Sequence, residues 1–344
     1  MADVTIFGAG IFGLSVAWAC VTRGAKVQVI DPGGVAAGAS GGIVGALAPH
    51  TPENWNDKKA FQFESLMMAE PLWAEVQKVG GQDPGYARSG RLQPIADARA
   101  LTLAQQRAEN AKTLWQGKAH WAVKPTTDFE GWCPQSPTGL VIHDSLSARV
   151  HPRQACQALA AALSVKGCDI LSSGAASGKV VWATGWQGLM DLSSTLDRPI
   201  GNGVKGQAIL LKLDRSTAPQ LFADALHIIP HGNGTVAIGS TSERDFDDPE
   251  TTDSQLDDIY ARAISAVPEL ATACVIQRWA GVRPRAKSRA PMLGHHPTDK
   301  SAFIANGGFK IGFGMAPKVG AVMADLILEG RDTIPDAFKP EASL

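Results

Sequence analysis

The sequence lacks the features that mark several broad classes of protein. Its five cysteines are scattered and none forms a CxxC pair, so neither a disulfide framework nor a zinc site is predicted. A reducing, cytoplasmic compartment is therefore expected. No window approaches about 18 uninterrupted apolar residues, so no transmembrane segment is expected either.

An excess of charge of one sign is also missing. The 32 Lys and Arg residues nearly balance the 33 Asp and Glu residues, so no overall field draws the chain toward nucleic acid or an anionic membrane. The first residues show no basic region followed by an apolar stretch and a cleavage site, so export is not expected. With 344 residues, the chain is long enough for about two globular domains.

Glycine, by contrast, is abundant where a nucleotide-binding turn is expected. The stretch VTIFGAGIFG (residues 4–13) indicates a strand, a turn and the start of a helix, and KVQVID, which ends at Asp31, indicates the next strand. In such a unit Gly8 permits the tight turn, Gly10 lets the backbone approach a pyrophosphate, and Gly13 lets the helix pack on the strand. Asp31 is placed to accept the ribose hydroxyls. The pattern predicts dinucleotide binding without distinguishing FAD from NAD.

Two further glycine-rich segments lie far apart in the chain. Residues 32–49 contain six glycines, too many for a regular helix, and are too apolar for a solvent-exposed loop. Residues 306–330 place glycines before a helix whose apolar face includes Val319, Val322 and Met323. Backbone from both ends of the chain is thus expected to lie against one long cofactor, although each segment taken alone also fits a mobile loop.

Taken in order, these motifs resemble those of the FAD-dependent D-amino-acid oxidase superfamily, and within it the glycine oxidase and sarcosine oxidase branch. The resemblance is carried along nearly the whole chain by VTIFGAGIFG, GASGGIVGALAP, VHPRQACQALAAAL, VVWATGWQG, VKGQ, HIIPHGNGTVAIGST, WAGVRPRAKSRAPMLG and GGFKIGFGMAPKVG. It implies an α/β chain with two interleaved domains. A Rossmann-like FAD-binding domain takes residues 1–48, 149–205 and 279–344, and a substrate domain built on an antiparallel sheet takes residues 49–148 and 206–278. QAILLKL and TVAIGST indicate strands of that second sheet, and DSQLDDIYARAISAV indicates a helix.

The resemblance makes FAD the expected cofactor. Together with the glycine pattern it implies that FAD contacts Gly8, Gly10, Ile11, Phe12, Gly13, Asp31, Ala39, Ser40, Gly41, Gly42, Gly45, Ala46, Leu47, Ala183, Thr184, Gly185, Trp186, Gly206, Arg283, Gly307, Gly308, Phe309, Lys310, Ile311 and Gly312. Some relatives attach the flavin covalently through a cysteine in the segment that here is RWAGVRPRAKSR. Because this segment has no cysteine, noncovalent FAD is expected.

One segment of the chain is shorter than the family pattern. Between CDILSSG and KVVWATG it is short, where relatives usually carry a longer strand meander whose backbone touches the adenine side of the cofactor. We expect this meander to be trimmed, not absent.

In this family an amine is oxidised by transfer of the hydride on its α-carbon to the flavin, and the imine that results is hydrolysed. The resemblance implies that Arg283, in AGVRP, binds the substrate carboxylate, and a guanidinium suits that bidentate contact. A solvated loop and a nucleic-acid surface are the alternatives, because five cations lie between positions 278 and 289. Lys310 stands where glycine oxidases carry a second arginine. It is expected to be a weaker partner of the same carboxylate, or else a surface lysine on a strand.

Two histidines complete the expected catalytic group. His227 stands where glycine oxidase relatives place a tyrosine, and an imidazole there is able to hydrogen-bond the substrate and to titrate near neutrality. His50 lies near the family's flavin-facing loop. For both, a structural histidine is the alternative. The adjacent His295 and His296 have no further ligand at metal-binding spacing, so no metal site is expected.

The expected substrate is a small amine or amino acid such as glycine, sarcosine or a small D-amino acid, with oxygen or another acceptor taking the electrons from the flavin. GASGGIVGALAP and GSTSERDFDDPET also resemble the oxidoreductase half of the bifunctional enzyme that finishes methylaminomethyl-uridine in tRNA. An N-substituted glycine carried on RNA is therefore a second interpretation. A third is a flavin-binding protein without turnover, because the expected tyrosine and second arginine are both replaced.

Overall fold

The computed structural model describes all 344 residues. It contains sixteen strands: β1 (Val4–Phe7), β2 (Val27–Ile30), β3 (Ala46–Leu47), β4 (Arg91–Pro94), β5 (Trp121–Pro125), β6 (Leu140–Asp144), β7 (Ala148–Arg149), β8 (Asp169–Leu171), β9 (Lys179–Trp182), β10 (Gly201–Lys212), β11 (Gln220–Ala223), β12 (Leu226–Pro230), β13 (Thr235–Gly239), β14 (Cys274–Ala286), β15 (Met292–His295) and β16 (Phe303–Asn306). There are seven α-helices: α1 (Ile11–Val21), α2 (Asp57–Gly80), α3 (Ala98–Leu114), α4 (Pro152–Val165), α5 (Gly185–Thr195), α6 (Ser254–Ala266) and α7 (Gly312–Ala324).

The first main sheet carries the nucleotide-binding turn. Its six strands lie in the order β15-β16-β9-β1-β2-β8, and all neighbours are parallel except β15 and β16. The apolar residues of β1 and β2 join those of α1, α4 and α7 in the larger hydrophobic core. This arrangement of parallel strands and covering helices is the Rossmann-like sheet that the N-terminal motif predicted.

The second main sheet has eight strands in the order β14-β10-β13-β12-β11-β4-β6-β5. Its pairs are antiparallel apart from β4 and β11. Alternating apolar residues of these strands, such as Ile209, Leu221 and Ile238, pack beneath α6 in a second core. The interleaved two-sheet fold expected from the sequence is therefore confirmed.

Two expected domain boundaries, at residues 205 and 279, fall inside strands. β10 and β14 pair with each other along their whole length, from Gly201 opposite Ala286 to Lys212 opposite Cys274. Both strands therefore belong to the second sheet. The expected boundaries differ from the strand ends because they fall at the motifs VKGQ and WAGVRP, which resemble cofactor-binding segments. Both motifs lie inside strands of the second main sheet. Helix α2, expected in the substrate domain, packs on α4 and α7 instead.

The connection from β8 to β9 contains no strand. Residues 172–178 cross one face of the first sheet, where the Gln28 side chain donates to the carbonyl oxygen of Ala175 at 2.9 Å and the Thr5 hydroxyl donates to that of Ser177 at 2.7 Å. The expectation of a trimmed meander is therefore wrong. The connection is only long enough to cross the sheet, and polar side chains of the sheet bind its backbone directly.

A pair of aromatic rings covers part of the same face. Phe7 and Trp182 are stacked with their ring centroids 4.5 Å apart, and Trp182 remains 36% exposed. The pair thus shields apolar surface that the short connection leaves open.

Side-chain caps fix where the longer helices begin. The Asn56 side chain accepts from the amide of Lys59 at the start of α2, and the Asp97 side chain accepts from that of Ala100 at the start of α3. No helix combines the length and the apolar character that crossing a bilayer requires.

Candidate active site

A cavity of about 910 Å³ lies where both sheets meet the glycine-rich segments. Its wall includes most of the residues that the sequence predicted for the site: Gly8, Gly10, Ile11, Phe12, Asp31, Ala39, Ser40, Gly42, Gly45, Ala46, Ala183, Thr184, Gly185, Trp186, His227, Arg283, Gly307, Gly308, Phe309, Lys310 and Gly312. Segments from both ends of the chain therefore face one space.

Four residues expected at the cofactor lie behind this wall. Leu47 is fully buried in the hydrophobic core. A Cβ atom at Gly13 or Gly41 would overlap a backbone carbonyl oxygen, and one at Gly206 would overlap the guanidinium of Arg283. These glycines allow close packing around the cavity without lining it.

The turn between β1 and α1 presents the N-terminal end of α1 to the cavity. Gly8 has a φ of +113°, which favours glycine, whereas Gly10 has an ordinary φ of −82° and caps α1 without a side-chain hydrogen bond. A Cβ at Gly10 would meet only the Ser40 side chain, 3.2 Å away. The Asp31 carboxylate accepts from the amide of Ala9 at 2.7 Å and so anchors the turn to the end of β2. The amide of Ile11 donates to the Ser40 hydroxyl at 3.0 Å, and the partial positive charge of this helix end suits a phosphate group.

Arg283 reaches into the cavity from β14. Its guanidinium donates to the Ser240 hydroxyl at 2.5 Å and to the carbonyl oxygen of Thr241 at 3.3 Å, and it forms no salt bridge. Glu243, whose charge it feels, is paired with Lys205 at 3.8 Å. Burial lowers the pKa of Arg283 to about 10, so the group is charged at neutral pH. A desolvated cation without an anion of its own is able to bind a carboxylate.

A smaller cavity of about 200 Å³ adjoins the first. The two share Ala46, Phe222, His227 and Lys310 on their walls. Lys310 lies in the turn before α7, not on a strand. His50 and Ile311, expected at the cofactor or substrate, face this smaller cavity only.

The two histidines of the expected site are both held neutral. Burial, and after it three neighbouring cations, lower the pKa of His227 to about 3, so this ring does not titrate near neutrality as the sequence suggested. Its Nδ1 is buried without a hydrogen-bond partner. His50 directs its backbone amide and its Nδ1 at the Gln62 side-chain oxygen, so the Nδ1 carries the proton. Burial lowers its pKa as well.

Sequence reasoning missed two residues near the site. Arg91, at the start of β4, lies on the wall of the smaller cavity, and His231 lies behind the larger one. The Nε2 of His231 donates to the carbonyl oxygen of Ile43 at 2.8 Å and so holds the glycine-rich segment that precedes β3. The only local sign that Arg91 belongs to the site is that it is a charged residue in a strand that is otherwise largely apolar. The sequence around His231 gives no such sign, because its partner, Ile43, is distant in the chain.

His231 gives an expected pH dependence of stability. Burial, followed by the charge of His151, lowers its pKa from 6.5 to about 3 in the folded chain, so the unfolded chain binds a proton that the folded chain does not. Stability should therefore be retained above pH 6.5 and lost as pH falls from there toward 3, by about 1.4 kcal/mol per pH unit for this group. We expect His231→Gln to lower the number of protons taken up on unfolding by about one, and so to make the free energy of unfolding depend less steeply on pH. Urea midpoints measured at pH 7 and pH 5 test this, and equal slopes for both proteins would contradict it.

The sequence and the fold of this chain are similar to those of known proteins. A family model described as FAD dependent oxidoreductase matches residues 3–326. The glycine oxidase of Pseudomonas putida is 28% identical over 99% of both chains, and that of Bacillus licheniformis is 24% identical over 98% of this chain and 97% of its own. The solved structure of glycine oxidase from Bacillus cereus superposes with a TM-score of 0.81 at 23% identity, covering 96% of each chain.

Proposed function

Because the chain belongs to the family of FAD-dependent oxidoreductases whose model it matches over residues 3–326, we propose that this enzyme oxidises the C–N bond of a small amino acid or an N-substituted glycine. The observation that carries the proposal is the placement of Arg283, a guanidinium without a salt bridge on the same cavity wall as the N-terminal end of α1. A carboxylate bound there lies in the same space as the cofactor.

The residues present fit FAD. The amides of α1 face the cavity for the diphosphate, Asp31 ends β2 for the ribose, and residues 307–312 close the opposite side. The volume, about 910 Å³, is near the upper end of the range for small-molecule sites, roughly 300–1,000 Å³. The space therefore suits a dinucleotide.

Bound FAD would supply an acceptor for the hydride of the substrate's α-carbon, with oxygen or another acceptor as the final destination of the two electrons. The substrate nitrogen loses a proton, and the C–N bond becomes an imine. Water then adds to the imine carbon and releases a carbonyl compound with ammonia or a primary amine. Arg283 holds the carboxylate, which fixes the direction of the α-carbon hydrogen. The unprotonated Nε2 of His50 accepts a hydrogen bond from substrate or water in the smaller cavity.

An anaerobic titration of the purified holoenzyme tests the proposal. Glycine, sarcosine, D-alanine, D-proline and larger N-substituted glycines are added in turn, and loss of flavin absorbance is recorded. Bleaching by at least one of these amines supports the oxidation of a C–N bond. If none bleaches the flavin while dithionite does, the chain is a flavin-binding protein without turnover on this panel.

An acidic segment near the cavity favours a small substrate over RNA. Residues 243–253 hold several carboxylates, Glu250 lines the cavity, and Phe246 packs edge-on against Trp186 of the cavity wall. Phosphates of RNA approaching this side would meet like charge. RNA-dependent flavin reduction that weakens steeply with salt would reverse this preference.

All five cysteines are free thiols, which supports a reducing, cytoplasmic setting as part of the proposal. None lies on the wall of the larger cavity. Cys20, Cys156 and Cys168 are buried, and burial raises the pKa of each thiol, so none is poised as a thiolate. The cavity thus offers no cysteine for a covalent bond to the flavin.

We therefore expect the purified protein to be yellow and acid precipitation to release all of its flavin. Supernatant and pellet are assayed by absorbance, with a protease digest of the pellet to detect a flavin peptide. Flavin that stays with the washed pellet would contradict the noncovalent site.

A further inference from the structure

We propose that the smaller cavity is a second anion site, in which Arg91 and Lys310 bind a further acidic group of the substrate. The inference rests on the proposed function and narrows it: the substrate is an amine that carries two carboxylates. Arg283 takes the carboxylate next to the oxidised carbon, and the smaller cavity takes the other.

Arg91 is a buried arginine whose terminal nitrogens form no hydrogen bond. It is 7% exposed, and its Nε donates to the Asp144 carboxylate at 3.0 Å. Asp144 is itself held by the amide and the hydroxyl of Ser147 at 2.7 and 3.0 Å. The two terminal nitrogens of Arg91 form no hydrogen bond, and the residue lies on the wall of the smaller cavity. The ion pair therefore fixes the side chain and leaves the guanidinium fork for a ligand.

Lys310 supplies a second cation without a partner. Its ammonium forms no hydrogen bond or salt bridge, and its nearest aromatic contact is the ring of Phe309 with the centroid 5.7 Å away. Burial lowers the pKa of Lys310, and the charges of Arg283 and Arg285 lower it further. An anion in the cavity would relieve this desolvation and repulsion, so a carboxylate is the group that the site favours.

The wall of the smaller cavity contains no carboxylate. Besides Arg91 and Lys310 it has Gln62, the neutral rings of His50 and His227, and apolar residues. Burial keeps both rings uncharged, so they neither cancel nor add to the cationic field. The cations therefore have no counter-ion within the cavity itself.

The two cavities adjoin, and the proposal requires that one substrate reach both. Phe222, His227 and Lys310 lie on both walls, and His227 feels the charges of Arg91, Lys310 and Arg283 together. A molecule whose first carboxylate binds Arg283 would then place its other end toward Lys310, whose pKa is lowered by burial and then by the charge of Arg283. A monocarboxylate such as glycine would leave Lys310 and the terminal nitrogens of Arg91 without an anionic ligand, and a dicarboxylate would supply one.

Two kinds of amine carry this chemistry. In an imino diacid such as iminodiacetate the second carboxylate is attached through the nitrogen, and oxidation followed by addition of water gives glycine and glyoxylate. In an acidic amino acid such as D-aspartate it is attached through the carbon side chain, and the same steps give a keto diacid and ammonia. In both, one hydride goes to the flavin, one proton leaves the nitrogen, and one water is consumed.

Binding is tested on the oxidised holoenzyme with carboxylates that cannot be oxidised. Malonate, succinate and glutarate are compared with propionate, butyrate and valerate through the shift of the flavin absorbance. We expect the best dicarboxylate to bind at least about tenfold more tightly than the monocarboxylate of the same carbon number. Dicarboxylates that bind no more tightly than monocarboxylates would overturn the second anion site.

Substitution of Lys310 assigns the effect to the smaller cavity. Lys310→Met should remove most of the dicarboxylate advantage, and Lys310→Arg should keep it. Lys124→Met, an exposed lysine on β5 without a salt bridge, is the matched control. Arg91→Gln should act like Lys310→Met, but it leaves Asp144 buried without its cation and is judged only if the flavin content is normal. An advantage that survives Lys310→Met would contradict the proposal.

Anaerobic reduction then separates the two kinds of substrate and the two proposals. Iminodiacetate is compared with sarcosine, and D-aspartate with D-alanine. If sarcosine or glycine bleaches the flavin but neither diacid is faster, C–N oxidation stands and the second anion site falls. If dicarboxylates bind tightly in a Lys310-dependent manner but no amine bleaches the flavin, the site stands and the proposed oxidation falls.

Discussion

Arg283→Ala should lower the efficiency of flavin reduction by roughly 30-fold or more, since each 1.4 kcal/mol is a factor of ten. The variant removes the only arginine on the wall of the larger cavity. A substrate carboxylate would then lose its strongest partner in a partly desolvated space, at a cost of about 2–5 kcal/mol by analogy with truncated charge pairs. Stopped-flow reduction with the best amine of the panel measures the effect.

Two further variants distinguish the loss of the Arg283 side chain's contacts from a general effect on folding. Arg283→Lys should recover only part of the rate, because it keeps the charge and loses the fork that reaches two oxygens. Arg289→Ala is the matched control, since Arg289 is exposed and its side chain forms no hydrogen bond. Flavin content should be equal in all three variants. If Arg283→Ala reduces its flavin as fast as the parent with every carboxylate-bearing amine, Arg283 does not bind the substrate.

Gly10→Val should abolish the retention of FAD. Gly10 has ordinary backbone angles, and a Cβ there would meet only the Ser40 side chain, with the hydroxyl 3.2 Å away, so the fold should accept the side chain once Ser40 shifts slightly. A valine there would crowd the start of α1, where the diphosphate is expected, and so displace it. The protein is mixed with a roughly stoichiometric amount of FAD and passed through a gel-filtration column. The ratio of its absorbance at about 450 nm to that at about 280 nm then measures how much FAD it has retained, which should fall if the phosphate site is blocked.

The choice of glycine matters for this experiment. Substitution at Gly8 or Gly13 would push a Cβ into a backbone carbonyl oxygen, so loss of flavin there would also follow from a disrupted turn. Gly232→Val is a suitable control, because a Cβ at Gly232 has only an ordinary contact with the Arg149 side chain at 3.5 Å, outside the cavity. Normal flavin content in a folded Gly10→Val protein would remove the turn from the cofactor site.

What the sequence predicted well depends on short-range signals. The unit β1-α1-β2 follows from a glycine pattern and two apolar runs within about thirty residues, the usual span of such a unit. Asp31 could be placed because it ends one of those runs. The strand that begins at Thr235 and helix α6 were likewise predicted from local alternation and helical spacing.

What the sequence did not predict depends on partners distant in the chain. Arg91 is a binding candidate only because Asp144, on a neighbouring strand, holds its Nε and leaves its other nitrogens free. The neutrality of His227 comes from burial and from cations on other segments. The course of residues 172–178 is set by side chains of β1 and β2 that bind its backbone. None of these relations has a fixed spacing in the sequence.

The interleaved order of the chain has a consequence for the synthesis of the protein. The cavity wall needs both the turn after β1, made early, and residues 307–312, made late. A growing polypeptide therefore cannot enclose FAD until the segment before α7 has left the ribosome. The yellow colour of bound flavin then shows that synthesis of the chain is complete as well as that the chain is folded. A chain that ends before β16, or that is cleaved before Gly307, should contain no flavin even if the other strands of its first sheet have formed.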